Sequence, residues 1–154
     1  MMRFLFDEML KKLASWCRIF GIYSEHYTGK TDTELLEYAK SKNLIFVTRD
    51  EALSKRCAKQ GVECIFIRTT DIREQIERII DAGAEIRFPD EPRCAACNGE
   101  LDKVSKEDIA DELPPKVDSE KYWKCRSCGK VFWEGGHWKN IMKLFESLKN
   151  SKAI

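Results

Sequence analysis

The chain has 154 residues, of which 43% are hydrophobic, and its 27 basic and 26 acidic residues give a net charge of +1. This length supports one ordinary domain or two small ones, and a net charge so close to zero does not itself indicate a polyanionic partner. No run of about 20 apolar residues occurs, so no membrane-spanning helix is predicted. The first residues lead directly into a strand pattern without the apolar segment of a secretory signal, so we expect a cytoplasmic protein.

Residues 1–87 alternate between patterns typical of strands and of helices. Short runs rich in apolar, β-branched and aromatic side chains predict strands at residues 3–6, 22–27, 44–47 and 64–67. Apolar residues at three- and four-residue spacing follow each run and predict amphipathic helices. Four such alternations predict an α/β domain in which right-handed crossovers join a mostly parallel sheet.

Several stretches mark where helices begin and where the first domain ends. Thr31–Glu34 and Asp71–Glu74 both match the capping box, in which side chains satisfy the free amides at a helix start. The prolines of residues 88–93 discourage a helix, so we predict a linker there. A second module is predicted at residues 94–154, and apolar spacing from His137 onward predicts that it ends in an amphipathic helix.

Two C-x-x-C pairs, Cys94 with Cys97 and Cys125 with Cys128, lie in this second module. Each pair makes a tight turn that presents two thiolates on one side, and two such turns complete the four-sulfur tetrahedron that suits zinc. A redox dithiol is the alternative, but it would need only one pair. We predict a structural zinc site, because a module of this size lacks a core large enough to fold alone.

Two of the predicted strands end at carboxylates. Asp7 follows the first apolar run and Asp50 follows the third. Ligands of parallel sheets bind beyond the carboxyl ends of the strands, so these side chains are expected to converge if their strands are neighbours. Grouped carboxylates repel one another unless a cation binds them, and oxygen ligands suit Mg²⁺ or Mn²⁺, which can activate water against a phosphodiester. The alternative is that each acid only caps the following helix.

Charge is distributed unevenly along the chain. Residues 100–120 carry 3 basic and 8 acidic side chains, a net charge of −5, and most of this stretch is predicted to be a loop. Residues 121–154 carry 8 basic and 2 acidic side chains, a net charge of +6, and alternate lysines with aromatic residues. Rings can stack on bases while lysines bind phosphates, although a solvated surface has the same composition. We call the sheet edge at which Asp7 and Asp50 are expected the acidic edge. The nucleic-acid contacts predicted from this segment and from that edge are Lys30, Arg49, Lys55, Lys124 and Trp138.

The chain resembles the Mut7-C family, in which a PIN-like ribonuclease fold precedes a C-terminal zinc ribbon. In the first domain the resemblance rests on Phe4-Leu5-Phe6-Asp7, Thr33-Glu34-Leu35-Leu36 and Val47-Thr48-Arg49-Asp50. In the second module it rests on the two cysteine pairs, on Leu113-Pro114, and on Trp133 followed by Gly135, His137 and Trp138. It covers about residues 2–148, nearly the whole chain.

The resemblance implies a PIN-like three-layer domain at residues 1–87 with a metal-dependent activity on single-stranded RNA. PIN-like enzymes gather three or four acids around Mg²⁺ or Mn²⁺. In this chain, the resemblance assigns these positions to Asp7 and Asp50, with either Asp32 or Glu34 as the third acid and Asp71 as a candidate for the fourth.

Two other functions compete with this one. The first is a PIN-like module that has lost catalysis and binds RNA or a protein partner through its zinc ribbon. The second is phosphoryl transfer on a receiver-like or phosphatase-like fold, which the sequence favours less because no fifth strand ending in lysine precedes the linker. The sequence does not indicate an oligomeric state.

Overall fold

The computed structural model of the chain describes residues 1–152, with side chains as far as Leu148. The chain divides into two compact units, Met1–Asn98 and Gly99–Ile154. The domain limits given above, with a linker at residues 88–93, remain a prediction. Within the described residues, no helix combines the length and the apolar character needed to cross a bilayer.

The first unit is built on a parallel sheet of four strands in the order β2-β1-β3-β4. This confirms the predicted parallel sheet. β1 lies directly beside β3, with Phe6 opposite Val47 in register. Asp7, which follows β1, and Thr48, the last residue of β3, therefore lie at the same carboxyl edge of the sheet. The strands are β1 (Arg3–Phe6), β2 (Tyr23–His26), β3 (Ile45–Thr48) and β4 (Cys64–Phe66).

Helices cover both faces of this sheet and give the predicted three layers. The connection from β1 to β2 crosses the sheet in one direction, and those from β2 to β3 and from β3 to β4 cross it in the other. Right-handed connections therefore place the helix of the first connection on one face and the helices of the other two on the opposite face. On one face, Leu5 and Phe46 of the sheet pack with Leu36 and Cys57 in a single apolar core. The helices are α1 (Lys11–Ile19), which follows a short 3₁₀ turn (Glu8–Leu10), α2 (Asp32–Lys42), α3 (Glu51–Gln60) and α4 (Ile72–Asp81).

One of the two predicted capping boxes is present. The Thr31 hydroxyl accepts a hydrogen bond from the Glu34 amide at 3.1 Å, and the Glu34 carboxylate reaches back to Thr31. The box predicted at Asp71 is wrong, because the Asp71 side chain makes no capping bond. A neighbouring hydroxyl competes for both of its partners: Thr69 donates to the Glu74 carboxylate at 2.6 Å and accepts from the Asp71 amide at 3.1 Å.

The second unit contains an antiparallel sheet of three short strands in the order β5-β6-β7, followed by the predicted C-terminal helix. The acidic stretch between β5 and β6 holds a 3₁₀ segment, Glu107–Glu112, whose Ile109 is buried. Trp123 is also buried, and the Trp138 ring stacks on it at 5.9 Å between centroids. The elements are β5 (Leu101–Val104), β6 (Tyr122–Cys125), β7 (Val131–Trp133) and α5 (Trp138–Lys152).

Candidate functional site

Asp7 is a buried carboxylate at the carboxyl edge of the parallel sheet, with 9% of its surface exposed. Its Oδ2 accepts a hydrogen bond from the Thr48 hydroxyl at 2.7 Å, and its Oδ1 accepts from the Glu8 amide at 2.8 Å. Its own amide donates to the Val47 carbonyl at 2.9 Å. Bonds to β3 and to the 3₁₀ turn thus hold Asp7 at a single position and stabilise its carboxylate.

Asp50 reaches the same edge from the neighbouring strand. Its amide donates to the Thr48 hydroxyl oxygen at 3.0 Å, so one hydroxyl bridges the Asp7 carboxylate and the Asp50 backbone. The Asp50 carboxylate caps α3 by accepting from the Leu53 amide at 3.0 Å, and the residue is exposed to solvent. Asp50 therefore caps α3, as the alternative interpretation predicts. This single hydrogen bond leaves further lone pairs on the exposed carboxylate oxygens.

The other predicted acids stand at helix starts on the surface. Glu34 accepts from the Thr31 hydroxyl at 3.1 Å and from the Thr31 amide at 3.4 Å, whereas Asp32 lies exposed in the first turn of α2. Asp71 is exposed before α4. Among residues 1–148, the only group of three or more ligand side chains whose ligand atoms all lie within 4.8 Å of one another is made of cysteines. The acidic metal site therefore remains a prediction.

A second buried carboxylate, which the sequence analysis missed, lies on β2. Glu25 is 8% exposed, and three tyrosine hydroxyls donate to it: Tyr23 at 2.8 Å, Tyr38 at 2.6 Å, and Tyr27. Burial and the bond to Glu25 raise the pKa of Tyr27, and the bond to Glu25 raises the pKa of Tyr38. Three neutral hydroxyl donors thus stabilise the buried Glu25 side chain, and the bond from Tyr38 attaches α2 to β2.

The sequence did carry a signal for part of this cluster. Tyr23, Glu25 and Tyr27 recur at a spacing of two, which places them on one face of a strand. The fourth member, Tyr38, comes from a helix and could be found only from the tertiary structure. Three tyrosine hydroxyls around one buried carboxylate indicate a cross-link between elements, and no ligand site is needed to explain them.

The predicted nucleic-acid contacts occupy varied environments and remain predictions. Lys30 is exposed and Arg49 is half-buried. Lys55 lies 3.6 Å from Glu51 one helical turn earlier, and Lys124 lies 2.8 Å from Glu112. Both ion pairs are exposed and weak, so they do not prevent either lysine from binding a phosphate. Trp138, stacked on Trp123, is half-buried.

The four predicted zinc ligands come together. The Sγ atoms of Cys94, Cys97, Cys125 and Cys128 all lie within 4.8 Å of one another. Tetrahedral zinc with bonds of about 2.3 Å requires sulfurs roughly 3.8 Å apart. The donor set and its spacing therefore fit a zinc ion, and four thiolates leave no open position for catalysis on that metal.

Both cysteine pairs adopt the turn that such a site needs. The residue after each pair has a positive φ, +70° at Asn98 and +78° at Gly129. The amide of Asn98 donates to the Cys94 carbonyl at 2.8 Å, and that of Gly129 donates to the Cys125 carbonyl at 3.0 Å. A left-handed residue thus closes each turn, and the turns orient two sulfurs of each pair toward one point.

Comparison with known families gives one result. The family model of the Mut7-C RNAse domain matches residues 2–145. The chain belongs to the Mut7-C RNAse domain family. This membership supports a ribonuclease-type function with RNA as substrate, and the cysteine cluster supports metal binding. No curated protein and no solved structure matches the chain.

The first cysteine pair of this Mut7-C chain is fixed by a buried cation from α1. Arg18 donates through Nε to the Ser24 carbonyl at 2.7 Å and through Nη1 to the Ala95 carbonyl at 2.9 Å. The Ser24 amide in turn donates to the Asn98 side-chain oxygen at 2.8 Å. Burial lowers the pKa of Arg18. The sequence does not indicate that Arg18 fixes the cysteine turn, because a single arginine in a helix is usually a surface residue.

Replacing Arg18 with methionine is expected to lower the free energy of unfolding by about 2–4 kcal/mol. The change leaves the Ser24 and Ala95 carbonyls without their donor, at roughly 1–3 kcal/mol each, and relief of the buried charge offsets part of that loss. Urea denaturation of the zinc-loaded chain measures the difference. The control, Arg78→Met on the exposed side of α4, is expected to change stability by less than about 0.5 kcal/mol. Equal midpoints for the two variants would contradict the assigned role.

Proposed function

We propose that this Mut7-C chain is an endoribonuclease that cleaves single-stranded RNA with Mg²⁺ or Mn²⁺ held by Asp7 and Asp50. The observation that carries the proposal is the Thr48 hydroxyl, which bonds the Asp7 carboxylate at 2.7 Å and the Asp50 amide at 3.0 Å. Two acids from adjacent parallel strands are thereby held at one edge of a sheet in a ribonuclease family. That edge is where sheets of this kind bind their ligands.

The donor set at this edge suits a hard divalent cation. Each Asp7 oxygen accepts one hydrogen bond, and Asp50 Oδ1 also accepts one, so every one of these oxygens keeps a lone pair. Carboxylate oxygens are the ligands that Mg²⁺ and Mn²⁺ prefer. A bound ion would supply activation of a water molecule and neutralisation of charge on the phosphodiester.

The two aspartates have different roles in this proposal. Asp7 is buried and fixed by two bonds, which makes it a rigid ligand that needs no reorganisation. Asp50 is exposed, so substrate and water can reach its carboxylate. As the third acid we favour Asp32 over Glu34, because the Glu34 carboxylate is occupied by Thr31.

A second function has a specific observation in its favour. A preformed site for several metal ions is expected to bring three or more carboxylates close together. Within residues 1–148, no three carboxylates have oxygens that all lie within 4.8 Å of one another. A PIN-like module that binds RNA or a protein without cutting would not need such crowding. Exposed Asp32 and Asp50 can still approach a cation by rotating their side chains, so we rank the binding module second.

The test is cleavage of a circular single-stranded RNA, which has no ends and reports endonucleolytic cutting alone. The chain is dialysed free of loosely bound metal, since a strong chelator would also remove zinc from the cysteine cluster, and Mg²⁺, Mn²⁺ or Ca²⁺ is then added back. We expect linear product with Mg²⁺ or Mn²⁺ and none without a divalent ion. Cleavage that is independent of divalent metal would refute the mechanism, and binding of the circle without cutting under any condition would favour the second function.

A further inference from the structure

A groove is lined by residues of α1 and of the start of α4, together with Met9 and Arg49, which are close in sequence to Asp7 and Asp50. Its volume is about 460 Å³, within the range of pockets that hold small ligands. Leu10, Leu13 and Ile72 give it an apolar surface. Met9 stands at its border with 79% of its surface exposed, although it is a large apolar side chain only two residues after Asp7.

Two cations line this groove without an acidic partner. Lys12 is exposed on α1, and within residues 1–148 neither it nor Arg49 forms an ion pair. Arg49 directly follows β3, and its side chain lines the groove. Its Nε is buried and has no hydrogen-bond partner among the described residues, and its Nη2 makes only a long 3.4 Å bond to the Arg68 carbonyl.

We propose that this groove binds one nucleotide of single-stranded RNA, adjacent to the phosphodiester at the acidic edge. Arg49 and Lys12 bind its phosphate, and Met9 packs against its base. Arg49 has no acidic partner to compete with a phosphate, and its planar guanidinium matches phosphate geometry. A flexible thioether packs on any base, which suits binding without strong sequence preference. The proposal rests on the ribonuclease function proposed above.

The acid in the lining of the groove is consistent with a nucleotide and argues against a simple inorganic anion. Asp71 is exposed at the start of α4, and its carboxylate repels a phosphate placed beside it. The same carboxylate accepts hydrogen bonds from a ribose hydroxyl or a base amino group. A lining with cations, an acid and apolar surface therefore matches a ligand that has an anionic part, a donor-bearing part and a flat apolar part.

The test is equilibrium binding of a fluorescein-labelled single-stranded oligouridylate to the full chain, by anisotropy, without added divalent metal so that no cleavage occurs. Arg49→Gln is expected to weaken binding about tenfold and to reduce the slope of log K against log salt by about 0.7, the contribution of one phosphate on a single strand. Met9→Ser is expected to weaken binding about fivefold with an unchanged slope, because it removes an uncharged contact to a base. Lys59→Gln, which removes the same charge from the exposed end of α3, is the control and leaves both quantities unchanged.

Arg49→Lys separates loss of charge from loss of fold, since it keeps the cation and is expected to restore the salt slope. Wild-type affinity and slope in both Arg49→Gln and Met9→Ser would overturn the groove even if the chain cleaves RNA. The same is true if the wild-type chain does not bind the oligouridylate. Binding that shows the expected losses in a chain that never cleaves RNA would support the groove and overturn the proposed nuclease function.

Discussion

Replacing Asp7 with asparagine is expected to lower RNA cleavage more than about 100-fold and to leave the fold intact. Loss of a residue that only supports a metal ligand lowers metal affinity or activity about 10–100-fold, so loss of the ligand itself is expected to lower activity further. The fold survives because asparagine has nearly the same shape and its oxygen can still accept from the Glu8 amide. The Thr48 hydroxyl loses a charged acceptor, which costs roughly 1 kcal/mol.

The measurement is the cleavage rate under Mg²⁺ or Mn²⁺, together with a thermal melt of each variant. Asp50→Asn is expected to lose activity to a similar extent, since it removes the second carboxylate from the same edge. Asp81→Asn makes the identical chemical change at the exposed end of α4, where that helix finishes, and serves as the matched control with full activity. Activity in Asp7→Asn within a few-fold of the control would remove Asp7 from the metal site.

The placement of Asp7 and Asp50 after two neighbouring strands could be predicted, because it depends only on local patterns and one topological rule. Asp7 directly follows its apolar run and Asp50 follows the end of its own run closely, and neighbouring parallel strands place such residues at one edge. The Thr48 bridge could not be predicted in the same way. It requires the register that places Phe6 opposite Val47, and register is fixed by packing across the sheet and not by any residue of either strand alone.

Buried polar groups explain most of what the sequence did not reveal in the first unit. Glu25 and Arg18 are charged residues in an amphipathic context, where exposure is the usual outcome. Each is buried because its partners come from other elements: Tyr38 from α2 for Glu25, and Ala95 from beyond α4 for Arg18. A pattern confined to one segment contains no information about such partners, so only the folded chain identifies them.

The second unit shows a similar limit for weak strands. The sequence predicts that most of the acidic stretch after the first cysteine pair is a loop, yet Leu101–Val104 forms β5 and pairs with β6. Two of the four residues in β5 are charged, so the strand has no apolar run to reveal it. Its pairing is instead supported by cross-strand contacts, including Arg126, which bonds Glu100 and Asp102 at 2.6 Å each. The zinc ligands, by contrast, were predictable because their chemistry is encoded in the spacing itself.

Replacing Cys125 with serine is expected to abolish zinc binding and to unfold the second unit. A structural zinc contributes about 10–16 kcal/mol in small domains, far more than a three-stranded sheet of short strands can supply. Cys125 is buried and accepts from the Ser127 and Cys128 amides at 3.4 Å each, so its loss removes both a ligand and the centre of its turn. The removal of zinc from the unaltered chain is expected to have the same effect.

Zinc content and tryptophan fluorescence together measure this outcome. The unaltered chain is expected to hold one zinc ion, and the Cys125→Ser chain almost none. Trp123 is 3% exposed and stacked on Trp138, so unfolding of the second unit transfers both rings to water and shifts their emission to the red. Cys64→Ser, at a half-buried cysteine whose thiol donates to Ser54, is the matched control that keeps zinc and emission unchanged. A Cys125→Ser chain with one bound zinc and native emission would show that the four sulfurs do not form the structural metal site.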